Sequence, residues 1–194
     1  MNLGAGFDIT AFRLPNHENW PIWEIDQRIN ITAKEKRLRK ALGTVPTNVR
    51  LIALDFDHNE LGEVLMTHGY SICTRTFFLW EAVTQYLTEQ CVRATFKWLA
   101  QAVSGSRLIF TYVCKDFLQA ENLYGWKSGY KRFVDTNIWN FGMLPDHCPV
   151  LLKEFGWRVV EDVGYDELAS RYIRPTGRRL TSTAVERIVY DEKI

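Results

Sequence analysis

The feature that most constrains this chain is an alternation. Short apolar runs, three of the first four closed by an acid, are separated by stretches with helical periodicity. Residues 21–26, Pro-Ile-Trp-Glu-Ile-Asp, read as a buried strand. Residues 27–42 read as a helix, with Ile31, Leu38 and Leu42 on its apolar side and Lys34, Lys36, Arg37, Arg39 and Lys40 predicted to face out. Gly43 is placed to cap it. Residues 49–54 form a second run, ending at Asp55, with a helix expected over 58–68. Residues 76–80 form a third, ending at Glu81. Thr88 suits the N-cap of a helix whose stripe is Val92, Phe96, Leu99 and Val103, closed by Gly105. Residues 107–113 are a fourth run. These runs are continuously apolar, the pattern of a parallel sheet covered by helices on both faces. A helix over 145–155 and strands over 157–163 and 183–190, joined without a full crossover helix, predict an antiparallel end. The fold class is α/β, a Rossmann-like doubly wound sheet.

Composition narrows the function classes. A chain of 194 residues, 46% hydrophobic and 24% charged, suits one globular domain, so 1–194 is read as a single unit. Lys and Arg total 24 against 23 Asp and Glu, a net charge of +1 that gives no support for a nucleic-acid footprint. The longest stretch without these residues, Val64 to Thr74, falls well short of the roughly 20 apolar residues of a membrane span. Met1-Asn2-Leu3-Gly4 has no basic-then-apolar pattern, so no secretory leader is expected. Cys73, Cys91, Cys114 and Cys148 include no CxxC pair and are expected to be buried, unbridged thiols of a cytoplasmic protein rather than zinc ligands. His17, His58, His68 and His147 lack metal-ligand spacing and are expected at the surface or at caps.

In a doubly wound sheet, ligands bind at the carboxyl ends of the strands. The first such end is Leu3-Gly4-Ala5-Gly6-Phe7-Asp8. The third glycine of a dinucleotide fingerprint is here Ile9, which disfavours a nicotinamide-dependent oxidoreductase. Asp26 lies about 20 residues beyond the glycines, where an acid accepts hydrogen bonds from ribose hydroxyls. Asp55-Phe56 pairs an acid for an exocyclic amine with a ring for an adenine face. Glu81 closes the next strand. Each acid alone is an ordinary solvated carboxylate. Together the four ends describe an adenosine site without a phosphate-binding arm, which is what S-adenosylmethionine requires.

The same residues carry a resemblance. Leu3 to Asp8, with Ala11-Phe12-Arg13-Leu14, resembles the first motif of the leucine carboxyl methyltransferase family, whose usual wording is close to LGAGFDTRAYRL; Ile9 and Thr10 replace Thr and Arg. Trp23-Glu24-Ile25-Asp26 resembles its (Y/F)EVD motif, and Leu54-Asp55-Phe56 its Asp-Leu pair. Trp80-Glu81-Ala82-Val83-Thr84-Gln85-Tyr86-Leu87 resembles its AEGxxxYL motif. Gly177-Arg178 and Glu186-Arg187-Ile188-Val189 also fit. The resemblance implies a class I methyltransferase fold, S-adenosyl-L-methionine as cofactor, and O-methylation of a small-molecule carboxylate or hydroxyl. It implies that Gly4, Ala5 and Gly6 line the cofactor, Asp26 holds the ribose, Asp55 and Phe56 contact the adenine, and Glu81 meets the methionine amino group. Family members carry, ahead of the first motif, a helical segment with an Arg for the cofactor carboxylate. The sequence given begins beside that motif, which predicts a short first strand and no lid. An inactive, truncated methyltransferase-like protein is therefore the alternative.

Methyl transfer to an ionised carboxylate needs alignment and exclusion of water rather than a general base. No catalytic triad or metal is expected. Residues 114–144 form an aromatic-rich insert: Phe117, Tyr124, Trp126, Tyr130, Phe133, Trp139 and Phe141 fall within 25 residues. Their rings either pack the insert onto the sheet or wall an acceptor pocket. Trp126, Tyr130 and Tyr86 are the candidate acceptor contacts, and Tyr86 is also the candidate catalytic group. The other reading of Tyr86 is a core ring bonded to backbone. Lys127, Lys131 and Arg132 are placed to neutralise an acidic acceptor.

Overall fold

The apolar runs become strands of one sheet, covered to different degrees: Ile22–Asp26 is buried throughout, whereas Trp157–Val163 keeps exposed positions. In a computed structural model describing residues 1–13, 20–56 and 60–194, they are β1 (Asn2–Leu3), β2 (Ile22–Asp26), β3 (Val49–Ala53), β4 (Phe77–Trp80), β5 (Arg107–Val113), β6 (Trp157–Val163) and β7 (Glu186–Lys193). They form one sheet in the order β3-β2-β1-β4-β5-β7-β6. The first five are parallel, while β7 runs antiparallel to both β5 and β6. The order reverses between β1 and β4, and the crevice for a ligand opens at such a switch point.

The helices are α1 (Thr10–Arg13), α2 (Arg28–Leu42), α3 (Leu61–Thr67), α4 (Glu89–Leu99), α5 (Lys115–Leu118), α6 (Lys127–Gly129), α7 (Cys148–Glu154) and α8 (Tyr165–Leu168). The Thr88 hydroxyl caps α4 by accepting the Cys91 N–H at 3.2 Å. Val92, Phe96 and Leu99 of α4 are fully buried on the sheet. Phe96 meets Trp80 and Phe110 edge-on, each with ring centroids 5.4 Å apart. Among the described residues, no helix is long and apolar enough to cross a membrane.

Several expectations need correction. The helix of α4 stops at Leu99, before Val103, and Gly105 instead makes the turn into β5, donating its N–H to the Lys193 carbonyl at 3.0 Å. The last strand is displaced from 183–190 to Glu186–Lys193, because Asp191, Glu192 and Lys193 pair with β5 and β6 through their backbones whatever their charge. Lys34 does not face out: it is buried against Glu24. Leu42 ends α2 beyond the edge of the packed surface and is exposed. Cys73 lies in a turn closed by Thr74 N–H onto the Ser71 carbonyl and is exposed, whereas Cys114 and Cys148 are buried. The helix expected over 58–68 is seen as Leu61–Thr67; His58 and His17 fall outside the described residues.

The aromatic insert packs. Val113, Phe117 and Val185 form a second small core at the carboxyl end of β5, covered by Leu118, Tyr124, Trp126, Tyr130 and Trp139.

Candidate functional site at the carboxyl edge of the sheet

Four neighbouring strands deliver the predicted site residues to one edge. After β1 the chain turns sharply: Gly4 and Ala5 N–H groups both donate to the Ile25 carbonyl, at 2.8 and 2.9 Å. Gly4 has φ +82°, and a Cβ there would fall 2.2 Å from Val83 Cγ2. Its close approach is thus to the loop after β4, which only glycine permits. Gly6 differs. It has φ +43°, and, its chain neighbours aside, no atom of the described residues lies within 4 Å of where its Cβ would stand.

Asp26, at the end of β2, closes this turn from the other side. One carboxylate oxygen accepts the Gly6 N–H at 2.6 Å; the other accepts the Gln27 N–H at 2.6 Å and the Asn30 side-chain amide at 2.7 Å. A carboxylate offers about four acceptor positions. The protein uses three of them, which leaves one acceptor position. Behind the turn, Lys34 Nζ forms an ion pair with the Glu24 carboxylate at 2.8 Å and donates to the Ala5 carbonyl at 3.3 Å. Burial pushes the Glu24 carboxyl above its ordinary range, and Lys34 opposes that shift.

Asp55 and Phe56 follow β3 and are half-buried. The Leu54 N–H donates to the Asp26 carbonyl at 2.8 Å, holding this end beside β2. Gln27, Arg28, Ile29 and Asp55 border a cleft of about 340 Å³ there. Phe56 packs on the main core and also borders a groove of about 1320 Å³ between α3 and α4, which Tyr86 borders too.

Glu81 is exposed at the end of β4. The following residue, Ala82, has φ +55°. Its N–H donates to the Thr111 hydroxyl at 2.8 Å, and the Thr84 hydroxyl donates to the Thr111 carbonyl at 2.7 Å. Glu186, at the start of β7, faces the same Thr111 hydroxyl. Desolvation raises its carboxyl above the usual range, the hydroxyl opposes this, and the negative charge of Glu81 adds to it.

Tyr86 is 47% exposed and meets Trp139 edge-on at 6.4 Å, so it is not the core ring of the alternative reading. Trp126 and Tyr130 pack on Phe117 at 6.0 and 5.7 Å, and Trp126 also meets Trp139 at 5.9 Å. Lys127, Lys131 and Arg132 are exposed, and Arg132 lies over the Phe133 ring. His68 bonds the Val64 carbonyl at 2.7 Å as a helix-end cap. Among the described residues, no group of three or more His, Cys, Asp and Glu is arranged to hold a metal ion.

Sequence reasoning missed Asn30, Lys34 and Thr111. Asn30 had a signal, one helical turn after Asp26. Lys34 and Thr111 had none, because their partners are remote in the chain.

Comparisons with known proteins bear on the family and the fold. The leucine carboxyl methyltransferase family matches residues 1–100. A relative from Bacillus subtilis (strain 168), YktD, provisionally named an S-adenosyl-L-methionine-dependent methyltransferase, is 28% identical over 121 residues, covering 61% of this chain and 40% of its own. A similarly named protein of Mycobacterium avium (strain 104) is 27% identical over 186 residues, covering 89% of this chain and 58% of its own. The chain therefore spans about half the length of the curated relatives it matches. Among solved structures, an S-adenosylmethionine-dependent methyltransferase from Mesorhizobium loti superposes with a TM-score of 0.65 at 12% identity, over 98% of this chain and 88% of that one. The mitomycin 7-O-methyltransferase MmcR gives a TM-score of 0.62 at 12% identity, over 100% and 48%. At such identities the likeness establishes the fold, that of class I methyltransferases.

Proposed function

The chain belongs to the leucine carboxyl methyltransferase family, and on that premise we propose that it binds S-adenosyl-L-methionine and methylates an oxygen, carboxylate or hydroxyl, of a small molecule. One observation carries the reading. Gly4–Gly6, Asp26, Asp55-Phe56 and Glu81 follow β1, β2, β3 and β4, the four adjacent strands on either side of the switch point. The residues fit the cofactor: among the described residues nothing beyond its chain neighbours crowds Gly6, Asp26 keeps one acceptor position, and Glu81 is exposed.

The bound cofactor supplies an electrophilic methyl group on a sulfonium centre. Gly6, rather than Gly4, lets the backbone of the Gly4–Gly6 turn approach it closely. Asp26 holds that turn shut and accepts one ribose hydroxyl. Asp55 takes the exocyclic amine while Phe56 packs on the adenine, and Glu81 meets the amino group. Tyr86 contacts the acceptor, with Trp126 and Tyr130 walling the pocket. Rate enhancement then comes from alignment and water exclusion. A cytoplasmic setting accords with four cysteines outside any disulfide.

Calorimetric titration with S-adenosylhomocysteine tests the reading. Saturable binding at micromolar affinity is expected. A folded protein that binds no tighter than millimolar would overturn it. Binding without methyl transfer to a panel of carboxylic and hydroxylic acceptors would favour the inactive, methyltransferase-like alternative.

A further inference from the structure

Ala82 is the only alanine or larger residue of the β4 turn with a left-handed backbone, at φ +55°. It occupies the place of the glycine in the AEGxxxYL pattern. Left-handed backbone is costly for an L-residue with a Cβ, and a non-glycine residue there persists only when its surroundings hold it. Its own side chain is exposed, so packing of the methyl group does not impose the conformation.

The holding contacts come from β5. The β4–β5 ladder ends at the pair Trp80–Phe110, and Thr111 is the next residue on β5. Beyond that point Thr111 takes over with its side chain. Its hydroxyl accepts the Ala82 N–H at 2.8 Å, and its carbonyl accepts the Thr84 hydroxyl at 2.7 Å. Thr111 and Thr84 are both buried, at 2% and 0% exposure. Between the two clamped residues lies Val83, whose side chain fills the space a Cβ on Gly4 would need. One residue of β5 thus secures the turn after β4 against the turn after β1.

We propose that Thr111 is a positioning residue: by clamping Ala82 and Thr84 it holds the strained turn that sets Glu81 opposite the Gly4–Gly6 turn. The proposal rests on the cofactor reading above, since Glu81 is the group it positions. It does not make Thr111 a catalytic residue.

The test uses the 194-residue chain and four variants: Thr111→Val, Thr111→Ser, Ala82→Gly, and the double variant Thr111→Val/Ala82→Gly. Two measurements are made on each. One is amide hydrogen exchange at residue 82, which needs no cofactor. The other is the Kd for S-adenosylhomocysteine. Thr111→Val is expected to speed exchange at Ala82 and weaken binding, each about tenfold, as the loss of one hydrogen bond implies. Thr111→Ser keeps the hydroxyl and should stay within about twofold of the unaltered protein on both measures. In the double variant, glycine removes the strain the clamp was holding, so much of the lost affinity should return. Unchanged exchange in Thr111→Val overturns the clamp. Faster exchange with unchanged affinity overturns the positioning role, as does a double variant no tighter than Thr111→Val. If the unaltered chain binds no S-adenosylhomocysteine, the cofactor reading and the positioning of Glu81 both fall. The exchange measurement then tells that failure from failure of the clamp.

Discussion

Lys34 and Glu24 form an ion pair at 2.8 Å with both side chains out of solvent, one on α2 and the other on β2. The same ammonium reaches the Ala5 carbonyl at 3.3 Å, so the pair buttresses the glycine turn from behind. A buried pair adds little net stability over an apolar pair of the same shape, yet losing one partner strands a charge and costs about 3–5 kcal/mol. Lys34→Met should therefore destabilise the protein by that order in urea unfolding. The double variant Glu24→Leu/Lys34→Met should recover most of the loss. A single variant as stable as the parent would show that the pair is not buried in solution.

Asp26 ties three donors together, so its replacement has a structural and a binding consequence. Asp26→Asn keeps one acceptor oxygen and puts an amide donor in place of the other, leaving either the Gly6 N–H or the Gln27 and Asn30 donors unmet. We expect a loss of about 1–3 kcal/mol in stability and at least tenfold weaker S-adenosylhomocysteine binding. Asn30→Ala removes one donor and frees an acceptor position, so its Kd should change less than threefold. Equal effects of the two substitutions would contradict the arrangement.

Gly4 and Gly6 make opposite predictions despite lying in one motif. Gly4→Ala meets Val83 and a left-handed backbone together, and should lower stability by more than about 2 kcal/mol. Gly6→Ala meets only the backbone term, about 1 kcal/mol. Its methyl group would instead fill the open space assigned to the cofactor. Thermal melting should therefore rank Gly4→Ala lower, while calorimetry should find S-adenosylhomocysteine binding lost in Gly6→Ala although the protein remains folded.

Asp191 predicts a pH dependence of stability. It is fully buried on β7, with no hydrogen-bond partner for either oxygen among the described residues. Burial, helped by the negative charge of Asp162, pushes its carboxyl up to about 8 from 3.8. Between those values the folded state holds a proton that the unfolded state has released. Stability must then fall as pH rises through this window, by up to about 1.4 kcal/mol per pH unit, and level off above it. Asp191→Asn should flatten this part of the curve. Unfolding free energies in urea at pH 6, 7 and 8 provide the check, and parallel curves for parent and variant would refute the assignment.

The sequence by itself determined the sheet and the order of the motifs along it. Runs such as Arg107–Val113 and Trp157–Val163 have the bounds expected of them, since apolar and β-branched residues mark a strand even where, as in β6, several positions stay partly exposed. The acids and glycines at the strand ends were legible for the same reason: they interrupt apolar runs at points where the fold class puts ligands. Tertiary structure decided the rest. Lys34 stands in a run of basic residues, and nothing local separates it from exposed Lys36; only the position of Glu24 on the neighbouring strand buries it. Asp191 has the composition of a polar tail and becomes core because β7 pairs on both sides. Ala82 looks ordinary until its φ is known, and Thr111 reads as one more residue of a buried strand. The physical reason is common to all four. Local periodicity records how much of a side chain is covered, whereas charge pairing, unmet hydrogen bonds and backbone strain depend on which remote element does the covering.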